Sequence, residues 1–214
     1  MSKTNKEDFI HIARENITRC GIEDLLVYLE STDFFDAPAS TKYHGSYAGG
    51  LVDHSINVFY CLLDELKFIY MGDSWKKVYT PESAAIVSLF HDLCKINRYK
   101  KIVRNVKNEF GVWEQVPGFA YNDESYLCMG HAASSLHTLT KFIQLTDEEA
   151  QAIYWHMGAF DISQYSTIGQ CSEAFSGNTL AFALHRADMM ATHIVENEKF
   201  SIQTEFKPKN SEKV

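Results

Sequence analysis

The chain has 214 residues, of which 45% are hydrophobic and 22% are charged. These values are ordinary for a soluble globular protein, and the length predicts one well-buried domain rather than two. The apolar runs fall far short of the roughly 20 residues that a membrane span needs, so we expect no membrane partner. The formal net charge of −8 argues against long nucleic acid as a partner, because such binding uses many cationic contacts to phosphates.

The cysteines and the N-terminal residues indicate the compartment. Five cysteines are an odd number, and none has CxxC spacing, so we expect reduced thiols and neither a disulfide framework nor a thiolate zinc site. The N-terminal segment lacks the apolar core of a secretory signal. Together these features predict a cytoplasmic protein.

Residues 1–42 are predicted to form N-terminal helices that pack on the core of the domain. Helical spacing of apolar residues marks two helices within residues 5–30. The apolar positions are Phe9, Ile12, Ala13 and Ile17 in the first helix and Leu25, Leu26 and Leu29 in the second. Residues 37–41, Ala-Pro-Ala-Ser-Thr, interrupt the helical pattern.

The middle of the chain is predicted to hold two helices and a β-hairpin. Gly45, Gly49 and Gly50 indicate a turn into a long helix over about residues 51–71. Thr80, followed by Pro81 at the first helical position, predicts the start of a buried helix that continues through residues 86–95. Residues 99–106 and 112–116 alternate weakly on either side of a turn, which is typical of a hairpin.

The last third is predicted to be helical with one long loop. Residues 146–149, Thr-Asp-Glu-Glu, form a capping box that begins a helix carrying His156. We expect a loop over residues 159–177, a last core helix over about 178–196, and a polar C-terminal tail over 197–214 that frays. The predicted fold class is therefore all-α, a helical bundle with a small β-hairpin insertion.

Six side chains that bind divalent cations lie on or beside the predicted helices. They are His54, His91, Asp92, His131, His156 and Asp188. His91 and Asp92 are adjacent within an apolar run, where an ionised carboxylate is costly unless a cation pairs with it. A buried His–Asp hydrogen bond would explain an isolated pair equally well. Further candidates on separate helices favour a dinuclear metal site in a bundle.

The order His…His-Asp…His…His…Asp resembles the HD superfamily of metal-dependent phosphohydrolases. The similarity covers roughly residues 43–196 and is closest to forms that have a single such domain and two metals. It includes residues 43–54, 91–95, 130–131, 155–158 and 186–190. The resemblance implies an HD phosphohydrolase domain over residues 43–196, folded as an HD-domain helical bundle.

The resemblance also implies a ligand set for two divalent metal ions, which could be Mn, Fe, Ni, Mg or Zn. One metal would be held by His54, His91, Asp92 and Asp188. The second would be held by Asp92, His131 and His156, with Asp92 as the bridge. The implied activity is hydrolysis of a phosphate ester or phosphodiester by a hydroxide that the two metals activate.

Three further residues are candidates for catalysis or substrate binding. Lys95 and Arg98 begin a stretch, residues 93–108, with six basic and no acidic side chains. We predict that both bind substrate and that Lys95 neutralises charge on the phosphate, although it could be a surface residue at a helix end. His44 could protonate a leaving group or could be a turn residue. The catalytic candidates are thus Asp92, Lys95 and His44.

The acidic net charge favours a small anionic phosphorylated substrate, best matched by a nucleotide or short oligonucleotide. One alternative is a 3′–5′ exonuclease on single-stranded nucleic acid, and another is a nucleotide-sensing HD module with lost turnover. A third is oxygenase chemistry on a mixed-valence di-iron pair, which distant proteins with this ligand order perform. The sequence does not indicate an oligomeric state.

Overall fold

The computed structural model describes residues 3–122, 129–161 and 167–197. This part of the chain is mostly helical and carries one two-stranded antiparallel sheet, which confirms the predicted fold class. The helices are α1 Lys3–Asn16, α2 Ile22–Glu30, α3 Gly50–Ile69, α4 Pro81–Phe90, α5 His131–Leu139, α6 Asp147–Trp155, α7 Ile168–Gly177 and α8 Thr179–Met190. The strands are β1 Tyr99–Lys107 and β2 Trp113–Tyr121.

Helices α3, α4, α6 and α8 pack around one hydrophobic core, to which α1 and α2 also contribute. The ring of Phe90, the last residue of α4, packs edge-to-face on Phe9 of α1 at 5.9 Å between ring centroids. The side chain of Arg19 contacts Glu149 of α6 at 2.6 Å and Glu82 of α4 at 3.3 Å. These contacts join the N-terminal ends of α4 and α6, and the candidate ligands His91, Asp92 and His156 follow the opposite ends of the two helices. The division at residues 42 and 196 stays a prediction.

The predicted continuous helix through residues 86–95 is wrong. Helix α4 ends at Phe90, and a short 3-10 turn, Leu93–Lys95, follows. The His91 ring donates its Nδ1–H to the backbone carbonyl of Ser88 at 2.7 Å. That carbonyl would otherwise accept a backbone N–H of the next helical turn, so the side chain competes with continuation of the helix.

The predicted loop over residues 159–177 is also wrong for the residues that the structure describes. A 3-10 turn, Gly158–Asp161, and helix α7 lie in this stretch, while residues 162–166 lie outside the described residues. Thr167 and Gln170 form a capping box that starts α7. The glycine and serine residues within α7 have lower helix propensity than alanine, so propensity does not predict this helix. Burial of Cys171 and Ala174 stabilises it instead.

The predicted hairpin is confirmed, but its second strand is longer than residues 112–116 and continues to Tyr121. Pro117 pairs with Val103 inside this ladder. Proline is tolerated there because both strands of a two-stranded sheet are edges. At the chain's end, α8 continues into a π-helical turn, Ala191–Val195, which matches the last predicted helix. The tail over residues 198–214 lies outside the described residues. None of the described helices combines the length and apolar character needed to cross a membrane.

Candidate metal centre

The six predicted metal ligands come together where several helices end or converge. His54 lies on α3 and Asp188 on α8, and His131 is the first residue of α5. His91 and Asp92 follow the end of α4, and His156 follows the end of α6. Five of these side chains are buried, whereas the His131 side chain is 27% exposed. The cluster therefore opens to solvent on the His131 side.

Asp92 lies at the centre of the cluster, and its two oxygens face different groups of nitrogen atoms. Around Oδ2 lie Lys95 Nζ at 2.6 Å, His91 Nε2 at 3.4 Å and His54 Nε2 at 3.6 Å. Around Oδ1 lie His131 Nε2 at 2.7 Å and His156 Nε2 at 3.7 Å. A second carboxylate, Asp188, places Oδ1 3.2 Å from His54 Nε2.

Three of the imidazoles have their tautomer fixed by a hydrogen bond at Nδ1. His91 donates to the Ser88 carbonyl, His156 donates to the Ile153 carbonyl at 2.6 Å, and His54 donates to Glu196 at 2.9 Å. When Nδ1 carries the proton of a neutral ring, Nε2 carries the lone pair. Donation from the distal nitrogen is how proteins orient metal-binding histidines. With a neutral ring, each of the three Nε2 atoms thus presents a lone pair to the centre of the cluster, which for His54 requires the loss of its second proton.

The residues present fit a divalent cation. His156 Nε2 is buried and has no hydrogen-bond partner among the described residues. A buried nitrogen without a partner is costly, and a cation would take its lone pair. The nitrogen and oxygen donor set suits Zn, Fe, Ni or Mn. The cluster is compatible with a metal site.

The charges of the cluster support the same conclusion. Burial by itself would raise the pKa of Asp92, but Lys95 and His91 outweigh it and hold that pKa well below its ordinary value. Burial opposes protonation of His54, yet Glu196 and Asp188 raise its pKa to about 10. His54 in turn holds the pKa of Asp188 well below its ordinary value, against the effect of burial. Asp92 and Asp188 therefore stay ionised, and in the metal-free protein protonated His54 helps to balance them.

Because cation and proton compete for the same nitrogen, metal binding is expected to release protons at pH 7. His54 has a pKa of about 10 and is protonated below it, so affinity should fall as the pH falls from 10. Each displaced proton contributes about tenfold in affinity per pH unit. Calorimetric titration with Mn²⁺ in two buffers of different ionisation enthalpy measures this release. Identical apparent enthalpies in both buffers would contradict it.

Of the other predicted residues, the structure places Lys95 and His44 against the cluster. Lys95 is buried and its Nζ contacts Asp92, so the alternative of a surface lysine is wrong. Burial opposes its charge, but Asp92 raises the pKa of Lys95 above its ordinary value. The His44 ring lies 5.0 Å from the His54 ring, and its Nε2 is buried without a hydrogen-bond partner among the described residues. Arg98 lies at the base of the hairpin, its guanidinium 5.0 Å from the Tyr121 ring.

Sequence reasoning missed three residues that contact the cluster. Glu196 accepts from His54 and, at 3.1 Å, from the Asn57 side chain. His185 donates its Nδ1–H to the His156 carbonyl at 2.6 Å and stacks on Phe175. Cys94 Sγ lies 3.3 Å from His131 Nδ1. A usable signal existed for Glu196, because Asp188, Thr192 and Glu196 recur at spacings of four and so lie on one face of a helix.

Glu196→Gln is expected to weaken metal affinity about tenfold to a hundredfold, the usual effect of removing a partner that orients a ligand. Glutamine keeps the shape but loses the charge that strengthens His54 as a donor. Calorimetric titration of Mn²⁺ into metal-free protein measures the change. The exposed Glu173→Gln is the control and should leave affinity unchanged. Equal affinities in all three proteins would show that Glu196 does not act on the site.

Comparison of the chain with protein-family models, with curated proteins and with solved structures found no match. Interpretation of its function therefore depends on the geometry of the cluster.

Proposed function

We propose that the protein is a metal-dependent phosphohydrolase of the HD type, which hydrolyses a phosphate ester or phosphodiester of a nucleotide or short oligonucleotide. The observation that carries the proposal is that each carboxylate oxygen of Asp92 faces its own pair of histidines. Its Oδ2 faces His54 and His91, and its Oδ1 faces His131 and His156. A carboxylate that bridges two cations binds one through each oxygen, so each cation needs its own further ligands, which the two pairs of histidines would supply.

Two cations shared among six protein ligands would keep coordination positions open, as catalytic rather than structural sites do. When bound, such cations supply the charge that activates water and neutralises phosphate oxygens. The metal ligands would be His54, His91, Asp92, His131, His156 and Asp188. Which of Mn, Fe, Ni, Mg or Zn occupies the two positions is left to measurement.

The remaining residues of the site would act on the phosphate directly. Lys95 holds a positive charge in a buried setting, where a fixed charge stabilises a transition state more than it does in water. Burial and the charge of His54 lower the pKa of His44 to about 4, so its ring is neutral at pH 7. A neutral ring with an unpartnered Nε2 favours hydrogen bonding to substrate over proton donation in the metal-free protein.

A second candidate function is a 3′–5′ exonuclease on single-stranded nucleic acid, and the hairpin is the observation that favours it. Trp113 is 66% exposed and Phe110 81% exposed, and Lys107 Nζ lies 5.5 Å from the Trp113 ring. Exposed aromatic rings beside cations are typical of surfaces that stack unpaired bases. The net charge of −8 still ranks a small substrate first.

The test is a screen of purified protein against nucleotides and short single strands with Mn²⁺, Mg²⁺, Ni²⁺ or Fe²⁺. Metal-dependent release of phosphate or nucleotide supports the proposal, and binding without turnover indicates the sensing module. The exonuclease requires a strong preference for a strand of about ten residues, with affinity that falls steeply with salt. Changing the exposed Lys100, Lys101 and Lys107 to Ala should then weaken strand binding. Arg104 is excluded from this set because it anchors the hairpin to the Thr41 carbonyl at 2.7 Å.

A further inference from the structure

Cys94 lies beside the open side of the cluster. Its Sγ is 3.3 Å from His131 Nδ1 and 3.6 Å from His131 Nε2. Asp92, Cys94 and His131 form a group whose possible ligand atoms all lie within 4.8 Å of one another. Cys94 is not one of the six predicted ligands, so its sulfur atom has no assigned role at the site.

The spacing between sulfur and nitrogen is that of two ligands on one ion. A tetrahedral Zn²⁺ with a Zn–S bond of about 2.3 Å and a Zn–N bond of about 2.05 Å separates the two ligand atoms by about 3.6 Å. Cys94 Sγ and His131 Nε2 have that separation, but Sγ lies 3.3 Å from Nδ1 and so beside the ring, and binding of one ion by both atoms requires the Cys94 side chain to rotate toward the Nε2 lone pair. The 2.7 Å contact between Asp92 Oδ1 and His131 Nε2 is a hydrogen bond, which would open by about half an ångström around an ion.

The backbone fixes this arrangement. The Cys94 N–H donates to Ser135 Oγ at 3.0 Å, and Ser135 is four residues after His131 on the same face of α5. The 3-10 turn Leu93–Lys95 is therefore attached to α5 one helical turn from His131. Cys94 and His131 are 37 residues apart in the sequence. The bond from the Cys94 backbone to Ser135 holds their two segments next to each other.

We propose that the Cys94 thiolate is a ligand of the metal position that Asp92 and His131 form, an assignment that rests on the proposed function. A thiolate makes this position selective for thiophilic cations such as Zn²⁺ and Co²⁺ over Mg²⁺ and Mn²⁺. The absence of CxxC spacing does not exclude this, because a single thiolate in a mixed site needs no second cysteine. With Cys94 this position has four protein ligands, so water or substrate would enter as a fifth ligand from the partly exposed His131 side.

The test is titration of metal-free protein with Co²⁺ under reducing conditions, followed by absorption spectroscopy. A thiolate ligand gives a sulfur-to-cobalt charge-transfer band in the near ultraviolet, and bound cobalt gives visible bands whatever its ligands. Wild type should show both at saturation. Cys94→Ser should lose the charge-transfer band and keep the visible bands, whereas the control Cys171→Ser, a buried cysteine on α7, should keep both.

A competition titration gives a second readout. Cys94→Ser should lower Zn²⁺ affinity at least about tenfold, the lower limit for losing even an outer partner of a metal ligand. Its Mn²⁺ affinity should change by less than about threefold, because Mn²⁺ prefers oxygen and nitrogen ligands. Should both Cys94→Ser and Cys94→Ala misfold, alkylation of wild type with iodoacetamide decides instead. Bound Zn²⁺ must then protect Cys94, as located by mass spectrometry.

Cobalt bound to wild type without a charge-transfer band would overturn the assignment and leave the proposed metal site standing. A band that persists in Cys94→Ser, or equal alkylation of Cys94 with and without Zn²⁺, would overturn it as well. Cys94 would then only accept a hydrogen bond from His131. Wild type that binds Mn²⁺ but neither Co²⁺ nor Zn²⁺ would overturn the assignment alone, and wild type that binds no divalent cation would reject the proposed function as well.

Discussion

Asp92→Asn is expected to abolish phosphate hydrolysis and to lower metal occupancy at both positions. Each Asp92 oxygen faces its own group of histidines, so one substitution removes a charged ligand from both. We expect activity to fall at least about a thousandfold, or about 4 kcal/mol of transition-state stabilisation. Asparagine is chosen because its oxygen still accepts from Lys95, which otherwise would be a buried cation without a partner.

Metal content and turnover are measured on the same preparation of Asp92→Asn. The control is His137→Ala on the exposed face of α5, which should behave as wild type. Urea unfolding of the metal-free proteins separates a folding defect from loss of the site. A variant that loses one metal and keeps substantial turnover would show that Asp92 does not bridge.

Lys95→Met is expected to lower kcat about a hundredfold while KM changes less than about threefold. The charge on the transferring phosphate group grows toward the transition state, so a buried cation contributes more there than in the ground state. Methionine keeps most of the length of the side chain, and bound metals would then compensate the charge of Asp92. Metal content should therefore stay at the wild-type value.

Steady-state kinetics of Lys95→Met are compared with those of Lys101→Met, which removes an exposed lysine from the same basic segment. The exposed variant should at most slow substrate capture. If Lys95→Met instead raises KM with kcat unchanged, Lys95 stabilises the bound substrate and the transition state equally and does not contribute to catalysis. If it loses metal, its role is to hold Asp92 in place.

The fold class was predictable because its signals are local. Thr80 and Pro81 begin α4, and the capping box at Thr146 begins α6, each at the predicted residue. The end of α4 was not predictable in this way. It depends on the His91 ring taking the Ser88 carbonyl, and periodicity alone does not show such competition between side chain and backbone.

The six clustered residues were predictable because they are ligand-type side chains set in apolar helical segments. Their surroundings were not. Glu196 reaches His54 from a π-helical turn, and Cys94 reaches His131 through a bond between a 3-10 turn and α5. Both contacts join segments more than 30 residues apart in the sequence, so they depend on how the helices pack. Trp113 is exposed on the hairpin and not packed in the core.

The most direct test of the account is elemental analysis of protein purified without chelators. The two-sided ligand arrangement around Asp92 predicts about two divalent metal ions per chain, and the same count after stripping and reloading. His91→Ala and Asp92→Asn should lower that count, whereas His137→Ala should not. Wild-type protein that contains no metal, and gains neither stability nor activity when metals are added, would contradict the account.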